Sequence, residues 1–366
     1  MVIGIPKEIK DHEFRVSLTP DGARTLVAAG HTVWIESSAG VGSGFADDDY
    51  RKAGAKLGSK AQVFENAELI VKVKEPLASE SPLFRPGQTL FAYLHLAASR
   101  ELTEALLDRK ITGIAYETTE RADGSTPMLT PMSEIAGRMA IQVGARYLER
   151  SQGGRGILMG GVPGVEPARV VVLGAGVVGS AATRIAIGMG AHVTVFNLDI
   201  ERLRYLDDLY QGRIVTLASN QSWIDEAVEE ADLVIGAVLI RGAKAPRLVS
   251  RRVVSRMRPG SVIVDVSVDQ GGCVETTRPT THSDPTYDVD GVVHYGVPNM
   301  PGIVPRTATF ALTNATLPFI VRLASAGVRH AISTDPGLAR GVNVSGGKVT
   351  CRGVADAHHM TFEPLS

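Results

Sequence analysis

The chain has 366 residues, a formal net charge of −1, 44% hydrophobic residues and two cysteines. This length allows roughly two domains with a large buried core. The near-zero charge gives no sign of a nucleic-acid or membrane surface, and two cysteines exclude a disulfide framework and a cysteine-based zinc site. The N-terminus lacks the features of a signal peptide, and no apolar run would span a bilayer, so we expect a cytoplasmic protein without nucleic-acid or membrane partners.

The first forty residues predict a β-α-β unit. Val2–Ile5 is an apolar run typical of a buried strand, and Thr32–Glu36 is the next. Between them, Thr19 can cap a helix whose first position suits Pro20, and Gly30 is a plausible stop for that helix. We therefore expect α/β structure from the start of the chain.

The alternation continues to residue 116. A helix is predicted over 46–53, strands over 68–74, 89–95 and 111–116, and a helix that Ser99 caps and that ends near Arg109. In the strand 68–74, Lys72 and Lys74 would project from the same face, because side chains alternate along a strand. Lys74 could hold a substrate carboxylate or polarise a carbonyl; the alternative is a pair of solvated edge lysines.

Three further side chains of this half could carry chemistry. His95 follows an apolar strand, where it would face the ligand crevice and transfer protons near neutral pH; alternatively, it is a core histidine bonded to backbone. Arg15 can grip a carboxylate through two parallel N–H donors, or form a surface salt bridge. Glu117, after another predicted strand, either takes part in chemistry or caps a turn.

The middle of the chain predicts a second α/β domain. A long amphipathic helix is expected over 133–152, and the glycine density over 153–164 excludes regular structure. A doubly wound parallel sheet is then predicted from regular alternation. Its strands are 169–173, 192–196, 213–218, 232–237 and 261–266, its helices are 177–189, 199–208, 221–230 and 249–257, and a last strand over 292–297, a long helix over 305–326 and a tail of turn signals follow.

A glycine turn follows the first strand of this second domain. Gly174 permits the tight turn, Gly176 lets backbone N–H groups approach a pyrophosphate, and Gly179 removes the side chain where helix and strand touch. The helix N-terminus adds partial positive charge for the phosphates. Because a strand precedes the turn, and a helix and a second strand follow it, a dinucleotide site is favoured over an ordinary βα turn.

Two carboxylates lie near the end of the strand 261–266. Asp269, beside flexible glycines, could orient a proton-transfer group or bind ammonia. The alternative for Asp265 and Asp269 is capping of the next turn.

Taken together, these motifs resemble those of the alanine dehydrogenase family over nearly the whole chain. The matching stretches are Gly4-Ile5-Pro6-Lys7-Glu8, Glu13-Phe14-Arg15-Val16, Val71-Lys72-Val73-Lys74-Glu75-Pro76, Leu94-His95-Leu96-Ala97-Ala98, Ala115-Tyr116-Glu117-Thr118, Pro131-Met132-Ser133, Gln152-Gly153-Gly154-Arg155-Gly156, Gly160-Gly161-Val162-Pro163-Gly164, Val268-Asp269-Gln270-Gly271-Gly272-Cys273 and Val297-Pro298-Asn299-Met300-Pro301. The run of motifs is more specific than any one of them. The related alpha subunit of the proton-translocating transhydrogenase shares part of the pattern.

The resemblance implies reversible oxidative deamination of L-alanine to pyruvate and ammonium, with hydride transfer to a nicotinamide dinucleotide. It also implies two Rossmann-like domains, the nucleotide domain (131–304) being inserted into a discontinuous substrate domain (1–130 and 305–366), and a homohexamer. By the same resemblance, Arg15 and Lys74 hold the substrate, His95 is the acid/base, and Asp269 assists through charge and proton transfer. The positions expected to bind the dinucleotide are Ser133, Gly174, Gly176, Val177, Val178, Gly179, Asn197, Arg202, Ser219, Val238, Leu239, Val266, Ser267, Val268, Asp269, Arg278, Val297, Pro298, Asn299 and Met300.

Two positions depart from the family pattern. The family has an acidic residue where Asn197 ends the second nucleotide-domain strand, and a neutral amide there does not repel a 2′-phosphate. We therefore expect NAD as cofactor with weakened preference over NADP. Ala326 stands where some members have a histidine that binds a divalent ion with the residue matching Glu117, so no metal is predicted.

Two other functions would also fit a dinucleotide-binding chain. A soluble transhydrogenase subunit would need a membrane partner and would not need Lys74, His95 and Asp269 together. A non-catalytic NAD(P) sensor would keep the glycine turn without turnover.

Overall fold

The computed structural model describes residues 1–238 and 245–365. The chain divides into two compact units, which we call the discontinuous unit (Met1–Met132 with Gly302–Ser366) and the central unit (Ser133–Pro301). Each unit is built on one sheet.

The strands, in chain order, are β1 (Val2–Ile5), β2 (Thr32–Glu36), β3 (Lys56–Gly58), β4 (Leu69–Val71), β5 (Thr89–Ala92), β6 (Thr112–Ala115), β7 (Arg169–Leu173), β8 (His192–Asn197), β9 (Val215–Ala218), β10 (Leu233–Gly236), β11 (Val262–Asp265), β12 (Thr286–Val289), β13 (Val292–Tyr295), β14 (Val342–Ser345) and β15 (Lys348–Val349). The α-helices are α1 (Pro20–Ala28), α2 (Asp47–Lys52), α3 (Lys60–Asn66), α4 (Arg100–Asp108), α5 (Thr130–Tyr147), α6 (Val177–Gly188), α7 (Ile200–Tyr210), α8 (Gln221–Glu230), α9 (Arg251–Val254), α10 (Pro305–Ala326), α11 (Val328–Thr334), α12 (Pro336–Gly341) and α13 (Arg352–His358).

The sheet of the discontinuous unit runs β15-β14-β6-β5-β4-β1-β2-β3. The six strands β1 to β6 are parallel, whereas β14 pairs antiparallel with β6 and β15 antiparallel with β14. Strand order reverses between β1 and β4, and the carboxyl ends of strands at such a reversal form the usual ligand crevice of open α/β sheets. The last part of the chain therefore extends the sheet that the first part begins.

The sheet of the central unit runs β12-β13-β11-β10-β7-β8-β9, all parallel except the edge strand β12. Its strand order reverses between β7 and β10. The predicted doubly wound parallel sheet is therefore confirmed. The two units share more than α/β character, because each has a third-second-first-fourth-fifth order of its parallel strands.

Burial explains the composition of the central strands. All four residues of β10 and all four of β11 are buried, as expected for parallel strands covered on both faces. Small residues let α5 and α6 approach closely in the central unit: a Cβ on Gly137 would lie 2.1 Å from the carbonyl oxygen of Val178. Glycine is required there by packing rather than by backbone conformation.

Several boundaries differ from the sequence prediction. The strand predicted over 68–74 ends at Val71, so Lys72 and Lys74 are not on one strand face. The helix predicted over 133–152 is α5. The tail, for which the sequence predicts turns but no strand or helix, forms α11 to α13 and the β14–β15 hairpin. Pairing of β14 with the distant strand β6 supplies a partner that a local pattern cannot reveal.

Within residues 1–238 and 245–365, no single helix is long and apolar enough to cross a membrane. In these ranges, only α10 and α11 taken together have that length and composition, and the two helices are bent by 117° where they meet.

Candidate active site

The carboxyl edge of the sheet in the discontinuous unit gathers four of the predicted residues. Arg15 lies in the loop after β1, Lys74 after β4, His95 after β5 and Glu117 after β6. Because these four strands are parallel, the loops that follow them all leave the sheet at the same edge. This edge is therefore the candidate substrate site.

Arg15 is buried, with 2% of its side chain exposed, and its charge is paired with Glu13. Its Nε donates to Glu13 Oε1 over 2.6 Å, its Nη2 donates to Oε2, and its Nη1 contacts Met132 Sδ at 3.2 Å. Burial lowers the pKa of Arg15, but the hydrogen bonds and charge of Glu13 outweigh it and leave that pKa raised. Arg15 therefore forms a salt bridge with Glu13, but this salt bridge is buried, whereas the alternative predicted from the sequence is one on the surface.

Lys72 is a buried ion-pair partner and not a solvated edge lysine. Its side chain is 0% exposed, and its Nζ donates to Glu8 Oε2 at 3.1 Å and to Glu80 Oε1 at 3.0 Å. The two carboxylates outweigh the effect of burial and raise the pKa of Lys72, so the ammonium stays protonated. The sequence pattern predicts the same strand face for Lys72 and Lys74, but Lys72 is fully buried between two carboxylates and Lys74 is only partly buried.

Lys74 is partly buried and lies near other charges. Burial, reinforced by the positive charge of Arg15, lowers its pKa, while Glu75 and Glu13 act in the opposite direction. An ammonium that has lost much of its hydration, next to a buried guanidinium, is an electrostatic site for a small anion.

His95 and Glu117 form the second part of the edge. The Glu117 carboxylate accepts the backbone N–H of His95 at 2.6 Å and that of Leu94 at 3.2 Å, and its Oε1 lies 3.9 Å from His95 Nδ1. The His95 side chain is 45% exposed and stacks on Tyr93, whose hydroxyl donates to the Met128 carbonyl. The backbone of His95 has a φ of 47°, in the left-handed region, which costs energy for a residue other than glycine. The hydrogen bond from its N–H to Glu117 helps to hold this conformation. The alternative of a core histidine does not apply.

The glycine turn of the central unit has the geometry that its spacing predicts. Gly174 has φ 106°, and a Cβ there would lie 2.5 Å from the Ala237 carbonyl oxygen. A Cβ on Gly179 would lie 1.8 Å from the Gly174 carbonyl oxygen, whereas one on Gly176 would meet nothing within 4 Å. The turn is therefore tight where helix and strand pack, and open at the N-terminus of α6, where a pyrophosphate would approach.

Asn197 ends β8 and supports this turn. Its Oδ1 accepts the Ala175 N–H at 3.1 Å, and its Nδ2 donates to the Asp199 carbonyl at 3.1 Å. Arg202 lies in the exposed first turn of α7, and the backbone N–H of Ser219 donates to the Asn197 carbonyl. No carboxylate stands at position 197, the end of this strand.

The loops after β10 and β11 are tied together. Ser267 Oγ accepts the Val238 N–H at 3.0 Å, and the Val266 N–H donates to the Gly236 carbonyl. Buried Asp265 accepts the N–H groups of Ser267, Cys273 and Val274 at 3.0 to 3.3 Å. Burial raises the pKa of Asp265. These bonds agree with the alternative in which Asp265 caps the turn that follows its strand. Leu239 lies outside the described residues.

Asp269 and the remaining predicted contacts also belong to the central unit. Asp269 is exposed in a short 3-10 turn, Val268–Gln270. The guanidinium carbon of Arg278 lies 4.2 Å from the centre of the Tyr287 ring. The backbone N–H of Arg278 donates to the Tyr287 hydroxyl. The others are Ser133 in α5, Val177 and Val178 at the start of α6, and Val297, Pro298, Asn299 and Met300 after β13.

Sequence reasoning missed Glu8, Glu13, Glu80 and Tyr287 as supports of the site. Glu13 could have been suggested by its position two residues before Arg15, whereas Glu8 is 64 residues from Lys72. Glu80 and Tyr287 are 8 and 9 residues from their partners, and no single strand or helix contains both members of either pair, so no periodicity relates them. In the described part of the chain, no group of three or more His, Cys, Asp or Glu side chains is arranged to hold a metal ion.

The parallel sheets and the open glycine turn define the class first: a dinucleotide-binding α/β protein. Models of one family then match both halves of the chain. The alanine dehydrogenase/PNT N-terminal domain matches residues 4–136, and the alanine dehydrogenase/PNT C-terminal domain matches residues 140–352. The chain therefore belongs to the alanine dehydrogenase/PNT family.

Individual relatives agree with this assignment. An alanine dehydrogenase from Methanococcus maripaludis is 56% identical over 366 residues, covering 100% of this chain and 98% of the relative. A solved structure of an L-alanine dehydrogenase superposes with a TM-score of 0.95 at 57% identity, covering 98% of this chain and 99% of the other. A transhydrogenase structure from Sinorhizobium meliloti is more distant, with a TM-score of 0.83 at 26% identity, covering 96% and 99%.

Proposed function

We propose that this protein catalyses the reversible oxidative deamination of L-alanine to pyruvate and ammonium, with hydride transfer to a nicotinamide dinucleotide. The observation that carries the proposal is the grouping of Arg15, Lys74 and the His95–Glu117 pair at one sheet edge. Full-length identity of 56% to a protein named alanine dehydrogenase supports the same substrate. A transhydrogenase subunit is less well supported, because that relative is only 26% identical.

Each residue is assigned a role that its surroundings support. Arg15 and Lys74 supply the positive charge for the substrate carboxylate and carbonyl oxygen. His95 exchanges protons with the amino or carbonyl group through its exposed imidazole, and Glu117 positions it through the backbone N–H bonds and its place beside Nδ1. Asp269 of the central unit assists as the carbinolamine forms and collapses.

The dinucleotide is assigned to the central unit. The open space beside Gly176 fits a pyrophosphate. Among the described residues, the other predicted contacts lie at or beyond the carboxyl ends of β7, β8, β9, β10, β11 and β13, except Ser133, which lies in α5. When bound, this cofactor accepts the hydride from the substrate Cα. We propose use of both NAD and NADP, because position 197 carries an amide whose oxygen and nitrogen are already bonded within the turn. Assembly as a homohexamer stays a prediction.

The test is a rate assay with pyruvate, ammonium and each reduced cofactor in turn. Oxidation of the reduced cofactor that requires both pyruvate and ammonium is expected. A protein that binds the dinucleotide but shows no such oxidation would be a sensor, and the enzymatic proposal would be rejected. Replacing pyruvate by glyoxylate measures substrate breadth, because one methylene gives only about 1–3 kcal/mol of discrimination.

A further inference from the structure

Two loops at the substrate edge are joined through one buried lysine. The loop after β1 carries Glu8 and Arg15, and the segment after β4 carries Lys72 and Lys74. Lys72 Nζ lies 3.1 Å from Glu8 Oε2, on the first loop, and 3.0 Å from Glu80 Oε1, at the far end of its own segment. We call Glu8, Lys72 and Glu80 the Lys72 cluster; the side chain of each is at most 2% exposed.

The second oxygen of each carboxylate fixes the backbone of the same segment. Glu8 Oε1 accepts the Val73 N–H at 2.7 Å, and Glu80 Oε2 accepts the Leu77 N–H at 3.0 Å. The segment is therefore held at residues 72, 73 and 77, on both sides of Lys74. Buried charges that are paired on every side have few alternative arrangements, because any departure leaves a charge unpaired in the interior.

We propose that the Lys72 cluster is a positioning device that holds Lys74 and Arg15 at the spacing the substrate needs. The inference rests on the proposed function, since it takes these two residues as the substrate-binding cations. Glu8, Lys72 and Glu80 are positioning residues, and none of them is proposed to touch the substrate. Misplacement of a binding group by about 1 Å can cost about 100-fold in rate, so such a device has a measurable effect.

The titration of Lys74 depends on how firmly its segment is held in the interior. The charged groups that act on Lys74 are Arg15, Glu13, Glu75 and Lys10, and Lys10 pairs with Glu75 across the same two loops. Burial is the largest cause of its lowered pKa. If the segment were loosened, water would reach the Lys74 ammonium and raise its pKa towards the ordinary value. Because the substrate anion binds the protonated lysine, binding would then be lost at a higher pH.

The test compares Glu80→Gln with the matched control Glu104→Gln in the full chain. The first change replaces one acceptor oxygen by an NH2 group, so the bond from Lys72 or that from Leu77 is lost. The second breaks an exposed ion pair with Arg100 on α4 of the same unit. Three quantities are measured for each variant. The first is kcat/KM for pyruvate as a function of pH, with ammonium and reduced cofactor both saturating; the other two are the Kd of the cofactor and the Tm.

We expect Glu80→Gln to lower kcat/KM for pyruvate by about 10- to 100-fold and to move its alkaline limb to higher pH, with the cofactor Kd unchanged. Glu104→Gln should have the same pH profile as the unaltered protein. Ammonium loses its proton at alkaline pH in every sample alike, so a difference between the two variants cannot come from ammonium. A normal kcat/KM and an unmoved alkaline limb in Glu80→Gln, even with a lower Tm, would overturn the proposal. If Glu80→Gln does not fold, Glu80→Asp, which keeps the charge and withdraws the carboxylate, is judged by the same criteria. Absence of pyruvate-dependent turnover in the unaltered protein would instead refute the proposed function.

Discussion

Under the proposed function, the Asn197 carboxamide takes the position at which a carboxylate would repel a 2′-phosphate. Both its polar atoms are used within the turn, the oxygen by the Ala175 N–H and the nitrogen by the Asp199 carbonyl. It therefore supports the glycine turn without adding negative charge. Arg202 lies in the exposed first turn of α7, and under the proposed function its positive charge would favour a phosphate on the adenosine ribose.

The change Asn197→Asp should sharpen selectivity for NAD. A carboxylate can still accept the Ala175 N–H, but it repels a 2′-phosphate, so we expect the ratio of kcat/KM for NAD to that for NADP to rise by about tenfold or more. Asn220→Asp is the control, because Asn220 caps α8 through its side-chain oxygen and aspartate caps equally well. A many-thousandfold NAD preference in the unaltered protein would contradict this account of position 197.

Removal of the His95 imidazole should separate catalysis from cofactor binding. General acid–base groups contribute about 100- to 10,000-fold, so His95→Ala should lower kcat by that range and leave the Kd of the dinucleotide unchanged. His330→Ala, which removes an exposed histidine of α11 in the same unit, is the control. Equal kcat values for the two variants would exclude His95 as the acid/base.

At the scale of single elements, the three glycines of the turn make different demands. Gly174 and Gly179 have no room for a Cβ, whereas Gly176 faces open space. The spacing alone predicts these three roles, because the geometry of a strand, a tight turn and a helix is local. The Lys72 cluster is different: the alternation of residues 68–74 cannot show that the strand ends at Val71, or that the partners of Lys72 come from residues 8 and 80.

Alanine substitution along the turn tests this division of roles. Gly176→Ala should keep the Tm and weaken dinucleotide binding by about tenfold or more, because the added methyl group occupies the pyrophosphate approach. Gly179→Ala should lower stability by about 1–3 kcal/mol or more, because the methyl group overlaps the Gly174 carbonyl. Gly188→Ala, at the open end of α6, is the control and should leave binding unchanged. If Gly176→Ala binds the cofactor normally, the pyrophosphate lies elsewhere.

At the scale of the whole molecule, the sequence predicts two α/β domains, because strand and helix periodicities are local properties of the chain. The antiparallel pairing of β14 with β6 could not be predicted, since Val342 and Ile114 are far apart in sequence and the turn signals of the tail do not indicate a partner strand. For the same reason, the strand order common to the two units was not evident. Long-range pairing decides both features.

The central claim is hydride transfer from the Cα of L-alanine to the dinucleotide, and isotopic labelling tests it directly. The full-length protein is supplied with L-alanine deuterated at Cα and oxidised cofactor, and the products are analysed by mass spectrometry. We predict one deuterium in each reduced cofactor molecule and one pyruvate for each cofactor reduced. Reduced cofactor without deuterium, or no reduction with the cofactor bound, would contradict the account.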